Sequence, residues 1–136
     1  MNIKAHALWM IAFASSPAYS NEILLGNFGH EFTRTSKDIV WTIKAAGEKF
    51  DITYHGDNTK DRLRPLSSKA VRSLWQKLHW PDETMSSASC LGNEEDTFCH
   101  VPKEQRANID WLMDYKSDFF YYSVMGGIMQ IHKMGQ

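Results

Sequence analysis

Apolar and polar side chains alternate along two neighbouring stretches in the first half of the chain. Apolar residues occupy every second position on both sides of the pair Ala46-Gly47: Ile39, Trp41, Ile43, Phe50, Ile52 and Tyr54. Successive side chains of a β-strand point to opposite faces, so this spacing predicts two strands that each bury one face. The short glycine-containing connection between them predicts an antiparallel hairpin.

Weaker strand patterns lie near both ends of the chain. Residues 22–33 alternate loosely around Gly26 and Gly29, and glycines inside a strand are typical of a bulge or a close backbone approach. The segment 118–125 is rich in strand-forming residues, and Gly126-Gly127 suits a two-residue turn before residues 128–134. The C-terminal segment therefore predicts a second hairpin, or else one long strand with a glycine bulge.

Helical spacing is clearest in the middle of the chain. Ser67 or Ser68 offers an N-cap, apolar residues follow at intervals of three and four from Val71 to Leu78, and Pro81 ends the pattern. Residues 56–61 have the composition of a turn, and residues 82–101 read as a long connection. The segment 103–114 fits a helix as far as about Leu112, although its apolar residues also alternate at strand spacing.

The order of these elements predicts an α+β fold. Three strands come first, then a helix, a long loop, a second helix or strand, and finally two strands. We expect a small antiparallel sheet made of hairpins, with one or two helices packed on one face and one disulfide.

The first twenty residues have the order of a secretory signal peptide. Lys4 supplies a cation, an apolar run extends from Ala7 to Ala14, and Ala18-Tyr19-Ser20 has the small residues that signal peptidase accepts. The apolar run is about half of the roughly 20 residues needed to span a bilayer. We therefore expect cleavage after Ser20, a single domain over residues 21–136, a periplasmic location and no stable membrane insertion. A buried N-terminal helix is the alternative.

The charge balance argues against nucleic acid as a partner. Removing Lys4 from 15 cationic side chains leaves 15 − 1 = 14 against 16 acids, a net charge of 14 − 16 = −2. Binding to nucleic acid depends on a concentrated basic surface, which this balance does not indicate.

The only two cysteines, Cys90 and Cys99, lie close together in the sequence. In an oxidising compartment they should form a structural disulfide that closes a short ring. Free thiols are one alternative. A redox or metal role is less favoured because there is no Cys-x-x-Cys motif and too few further ligands stand nearby.

Three consecutive acids, Glu94, Glu95 and Asp96, lie inside that ring. Like charges repel, so all three should point outward, either as a solvated loop tip or as a rigid acidic projection that binds a basic cleft. Consecutive aromatic residues in a strand face both sides, so Phe120 and Tyr122 could lie in a sheet that is covered on both faces. Alternatively, Phe120 and Tyr122, or Phe119 and Tyr121, form an exposed stripe suited to a protein interface.

Motifs for metal binding or catalysis are not found. The histidines show neither His-x-His nor His-Glu-x-x-His spacing, and the oxygen-rich stretch 57–61 lacks the glycine and glutamate of an EF-hand loop. There is no Gly-x-Ser-x-Gly elbow, phosphate-binding loop or dinucleotide motif. We expect no metal, no cofactor and no catalytic residues, although a looser calcium site at 57–61 stays an alternative.

An exported domain with a disulfide and no catalytic motif is most often a binding protein. The leading hypothesis is a periplasmic immunity protein or inhibitor that blocks the cleft of a toxin or a cell-wall-degrading enzyme, with Glu94, Glu95, Asp96, Phe120 and Tyr122 as its contacts. The runner-up is a small-ligand-binding envelope protein with an aromatic pocket lined by Trp41, Phe50 and Tyr54. An envelope enzyme or its accessory subunit is the third hypothesis.

Overall fold

The computed structural model describes residues 21–30, 38–106, 108–110 and 115–134, and within them eight β-strands form a closed antiparallel barrel. The strands are β1 (Gly26–His30), β2 (Trp41–Ala46), β3 (Lys49–Tyr54), β4 (Thr59–Pro65), β5 (Ser89–Gly92), β6 (Asp96–His100), β7 (Phe119–Ser123) and β8 (Gly127–Met134). One α-helix, α1 (Ser68–Leu78), joins β4 to β5. Three 3-10 turns cover Glu22–Leu24, Asp82–Thr84 and Lys103–Arg106.

The predicted α+β fold with a small open sheet is wrong, because β1 and β8 pair and close the sheet into a barrel. Each strand also pairs with the next one along the chain. Two parts of the barrel were not predicted. The first is β4, whose only buried residue is Leu63, so that its sequence has no apolar alternation. The second is the β5–β6 hairpin, which lies in the segment 82–101 that the sequence predicts to be a long loop.

Inward-facing side chains fill the barrel, since alternate residues of each strand point to its axis. The core they form is almost wholly apolar: Leu24, Phe28, Trp41, Ile43, Phe50, Ile52, Leu63, Leu91, Phe98 and Ile131. Leu24 reaches this core from the 3-10 turn before β1 and is fully buried there. An eight-stranded barrel has an interior about wide enough for its own side chains, and here large aromatic and aliphatic groups occupy it.

Helix α1 packs on the outside of the barrel. The helix begins as predicted, with the hydroxyl oxygen of Ser67 accepting a hydrogen bond of 3.1 Å from the amide of Ala70. It ends at His79, which adopts a left-handed conformation. Leu74 and Trp75 on its inner side join a second buried cluster, whose other members come from β5, β6, β7 and the connecting loops: Trp80, Cys90, Cys99, Val101 and Phe120.

The predicted disulfide is confirmed. Cys90 and Cys99 are directly opposed on β5 and β6 and are bonded to each other. Both are buried beneath α1, on the outward side of the barrel wall. The bond therefore joins the two strands of one hairpin and forms part of the surface on which the helix packs.

The remaining predicted elements have mixed outcomes. The hairpin of β2 and β3 is confirmed, and β7 and β8 form a hairpin rather than one long strand. Lys103–Arg106 is a 3-10 turn, while residues 107 and 111–114 lie outside the described part of the chain. The predicted signal peptide and residues 31–37 also lie outside it. Among the described residues, no helix is both long enough and apolar enough to cross a membrane.

Candidate functional site

A buried carboxylate lies at one end of the barrel. Asp96 alternates with Phe98 along β6, so its side chain points inward like that of Phe98, and it is only 8% exposed. Tyr54 ends β3 and Tyr121 belongs to β7, and both reach the same end. The hydroxyl of Tyr121 donates to Asp96 Oδ1 at 2.6 Å, and that of Tyr54 donates to Asp96 Oδ2 at 2.7 Å.

Asn93 fixes the turn between β5 and β6 beside this carboxylate. Its side-chain oxygen accepts hydrogen bonds from the amides of Glu95 and Asp96, at 3.0 and 2.9 Å. Its side-chain amide lies 3.4 Å from the hydroxyl oxygen of Tyr54 and donates to it. Gly92 precedes the turn, and a side chain there would come within 2.8 Å of Leu66. The side chain of Asn93 and the absence of a side chain at Gly92 therefore determine the conformation of this turn.

Burial and the hydrogen bonds to Asp96 raise the pKa of both tyrosine hydroxyls. Burial, followed by the hydrogen bond to Asp96, raises the pKa of Tyr121 to about 12, and the same two causes raise the pKa of Tyr54 further above its usual value. Deprotonating either hydroxyl would place a second negative charge against the carboxylate. All of these polar groups satisfy one another, so the cluster acts as a fixed polar link between β3, β6 and β7.

Two hairpin tips project beyond this link and touch each other. One is the tip of the β5–β6 hairpin, with Glu94 and Glu95, and the other is the tip of the β7–β8 hairpin, with Val124 and Met125. The amide of Val124 donates to the carbonyl oxygen of Glu95 at 3.1 Å. We call these four residues the paired tips. Val124 is 61% exposed and Met125 is 95% exposed. The paired tips therefore combine two solvent-exposed apolar side chains with the two acidic residues Glu94 and Glu95.

The residues predicted to bind a partner do not all lie on that surface. Glu94 and Glu95 are exposed as expected, but Asp96 does not point outward, because its position in the β6 alternation turns it into the barrel. Phe120 is 1% exposed beneath α1 and is therefore not a surface contact. Tyr122 is half-buried against the same cluster.

The residues of the predicted aromatic pocket belong to the core of the barrel. Trp41 and Phe50 are buried core residues, and the ring of Trp41 packs against the rings of Phe98 and Tyr121. Trp41 pairs with Tyr54 at the Asp96 end, whereas Phe50 pairs with Ala45 and Leu63 further along the barrel. The three side chains contribute to the packed interior.

Sequence reasoning missed Asn93, Val124 and the hydrogen bond from Tyr121 to Asp96. A signal for Tyr121 was present, since the alternation of Asp96 with Phe98 indicates an inward carboxylate that requires a donor. For the tip, the signal was the apolar pair Val124-Met125 directly before Gly126, inside the turn that joins β7 to β8. The pairing of the two tips depends on barrel closure and has no local signal.

Within the described ranges, no group of three His, Cys, Asp or Glu side chains is placed to hold a metal ion. Comparison of the chain with protein-family models, curated proteins and solved structures finds no match. The paired tips are therefore the feature at this end of the barrel that bears on function.

Proposed function

We propose that this protein is an exported inhibitor or immunity protein that inserts its paired tips into the cleft of a basic enzyme, such as a toxin or a cell-wall-degrading hydrolase. The observation that carries the proposal is the contact between Glu95 and Val124, which places an apolar knob and two carboxylates on one projection.

The exposed apolar groups support a protein partner. A methionine that is 95% exposed next to a valine that is 61% exposed loses the benefit of burial in the free protein. Methionine is enriched at the centres of protein interfaces, because its flexible thioether fits irregular surfaces. Met129 on β8 is a further exposed methionine, with 41% of its surface exposed.

The construction of the projection supports tight binding. The disulfide links the two strands of the β5–β6 hairpin, and the Asp96 network fixes its inner side to β3 and β7. A surface that is ordered before binding loses less conformational entropy when it binds. Ser123 stabilises the second tip, since its hydroxyl oxygen accepts hydrogen bonds of 3.3 Å from the amides of Met125 and Gly126.

The charge of Glu94 and Glu95 supports a basic partner. Complementary charge increases the rate of encounter and disfavours acidic proteins. Enzymes that act on anionic wall polymers are often cationic, and such an enzyme would meet an exported inhibitor in the periplasm. Steric occlusion of the cleft by Val124 and Met125 would then prevent access of the substrate.

The experiment is capture from the native cell envelope followed by an inhibition assay. Purified protein is used as bait, and each captured enzyme is assayed with and without it. We compare the double variants Val124→Ser/Met125→Ser and Glu94→Ala/Glu95→Ala. Matched controls are Ile23→Ser, an exposed apolar residue near the opposite end, and Glu48→Ala/Glu104→Ala.

We expect an enzyme with net positive charge that loses activity on addition of the wild-type protein. The apolar double variant should abolish inhibition, the acidic double variant should slow association, and both controls should match the wild type. Equal inhibition by wild type and by the apolar variant would exclude the paired tips as the binding surface. Capture of no inhibited enzyme would overturn the proposed function.

A further inference from the structure

The outer surface of β2, β3 and β4 carries a concentrated positive charge. The register of these three strands turns Ile43, Ile52 and Leu63 to the inside, where they are buried. The residues between them point outward, and the strand register places them in rows. The outward positions are Thr42, Lys44 and Ala46 on β2, Lys49, Asp51 and Thr53 on β3, and Lys60, Arg62 and Arg64 on β4.

The register brings the cations together. Lys44 lies opposite Asp51, which lies opposite Arg62, and the flanking rows contain the remaining cations of the set. Neighbouring strands are about 4.8 Å apart, and residues on one face of a strand are about 6.8 Å apart. We call this set the basic face. It comprises five cations, all exposed, and one acid: Lys44, Lys49, Lys60, Arg62, Arg64 and Asp51.

Its charge contrasts with that of the whole chain. The basic face has a net charge of 5 − 1 = +4, while the full chain has a net charge of −1. Asp51 neutralises part of this charge through a salt bridge of 3.2 Å between its carboxylate and Arg62 Nε. Both side chains of that bridge are about half exposed, so the pair is a surface contact of small energy. The near-neutral composition therefore conceals a strongly polarised surface.

We propose that the basic face binds the surface of an anionic phospholipid bilayer, with the barrel lying on the headgroups. This inference is independent of the proposed inhibition. The cations are spread over a convex barrel wall, so a small anion would contact one or two of them at a time. Anionic headgroups move laterally in a membrane and can gather beneath all five. Juxtaposed lysines and arginines are attracted to such a surface additively.

The chemistry of the basic face favours lipid over single-stranded nucleic acid. Proteins that bind single strands without sequence preference combine cations with aromatic side chains on which bases stack. The nine outward positions of the three strands contain no aromatic residue. The uncharged outward positions hold only small residues, threonine and alanine, so the charged side chains extend furthest from the barrel.

The experiment is cosedimentation of the exported protein with lipid vesicles, after its N-terminus has been determined by mass spectrometry. Vesicles of phosphatidylcholine alone are compared with vesicles containing phosphatidylglycerol, at low and at high salt. The test variant is Lys44→Gln/Lys60→Gln/Arg64→Gln. The control, Lys77→Gln/Lys103→Gln/Lys116→Gln, has the same net charge but leaves the basic face intact. Circular dichroism establishes that each variant is folded.

We expect binding to the anionic vesicles that is lost at high salt, when charges are screened. Each cation at a membrane surface changes affinity by about fivefold, so the test variant should bind about 100-fold more weakly. Asp51→Asn should bind several-fold more tightly, and the control should stay close to the wild type.

Two results would overturn the proposal. One is equal weakening by the test and control variants, which would show that only net charge matters. The other is equal binding to anionic and neutral vesicles at low salt. That result overturns the proposal even if a soluble polyanion, such as single-stranded DNA, binds to the basic face.

Discussion

The amide of Val124 and the carbonyl oxygen of Glu95 are joined by a hydrogen bond of 3.1 Å, although the two residues belong to different hairpins. This bond joins the turn of the β5–β6 hairpin to that of the β7–β8 hairpin, so that the two turns form one continuous surface. Beneath it, the carboxylate of Asp96 on β6 accepts hydrogen bonds from Tyr121 on the neighbouring strand β7 and from Tyr54 on β3.

Replacement of Asp96 by Asn should destabilise the fold by about 1.5–3 kcal/mol, the range for hydrogen bonds to a charged group. An amide is the same size, but it cannot accept strong hydrogen bonds from both tyrosine hydroxyls at once. Urea unfolding measures the change. Tyr121→Phe removes only one of the two bonds and should cost less. Unaltered stability in Asp96→Asn would show that the network contributes nothing to folding.

Alkaline pH should destabilise the protein through the same tyrosines. The pKa of Tyr121 is about 12 in the fold and 10.0 in an unperturbed tyrosine. The unfolded chain therefore loses this proton at lower pH than the folded chain, and stability decreases as the pH rises from about 10 towards 12. Urea unfolding at successive pH values measures the slope. Tyr121→Phe should have a shallower slope, and identical slopes would contradict the assignment.

Replacement of Trp75 by Ala should cost about 3–5 kcal/mol, as expected for truncating a fully buried aromatic side chain. Trp75 is 0% exposed, and its Nε1 donates to the hydroxyl of Thr84 at 2.7 Å. Thermal and urea denaturation report the loss. Gln76→Ala on the exposed side of α1 is the control and should have little effect. A loss below about 1 kcal/mol in Trp75→Ala would mean that the helix does not pack as described.

Removal of the disulfide should destabilise the protein by about 2–3 kcal/mol, the chain-entropy value for a ring of this size. The two cysteines are 9 positions apart, so the ring is short. Cys90→Ala/Cys99→Ala and the chemically reduced wild type should unfold at similar urea concentrations, both below the oxidised protein. Mass spectrometry of the exported protein should show two hydrogens fewer than the reduced chain. Free thiols in the exported protein would contradict the assignment.

The sequence predicted the local elements better than their assembly. Helix α1 and the β2–β3 hairpin are evident because each has a regular apolar spacing. Strand β4 escaped prediction because Leu63 is its only buried residue and its outward side chains are charged. Barrel closure depends on pairing between β1 and β8, which lie about a hundred residues apart along the chain, and no local pattern encodes such a contact.

The candidate site shows the same division. The exposure of Glu94 and Glu95 follows from their place in a turn. Asp96 was misjudged because repulsion among three acids was given more weight than the alternation with Phe98, which determines its direction. The buried position of Phe120 depends on the helix that covers β7, and the sequence alone does not specify which face α1 occupies.

Closure of the barrel also limits how this molecule can recognise anything. With β1 paired to β8, none of the described strands has a free edge at which an extended peptide could add itself by backbone hydrogen bonding. On the described strands, recognition therefore depends on side chains, and affinity there should respond sharply to single substitutions. The same closure protects the barrel from strand-to-strand aggregation with its own copies.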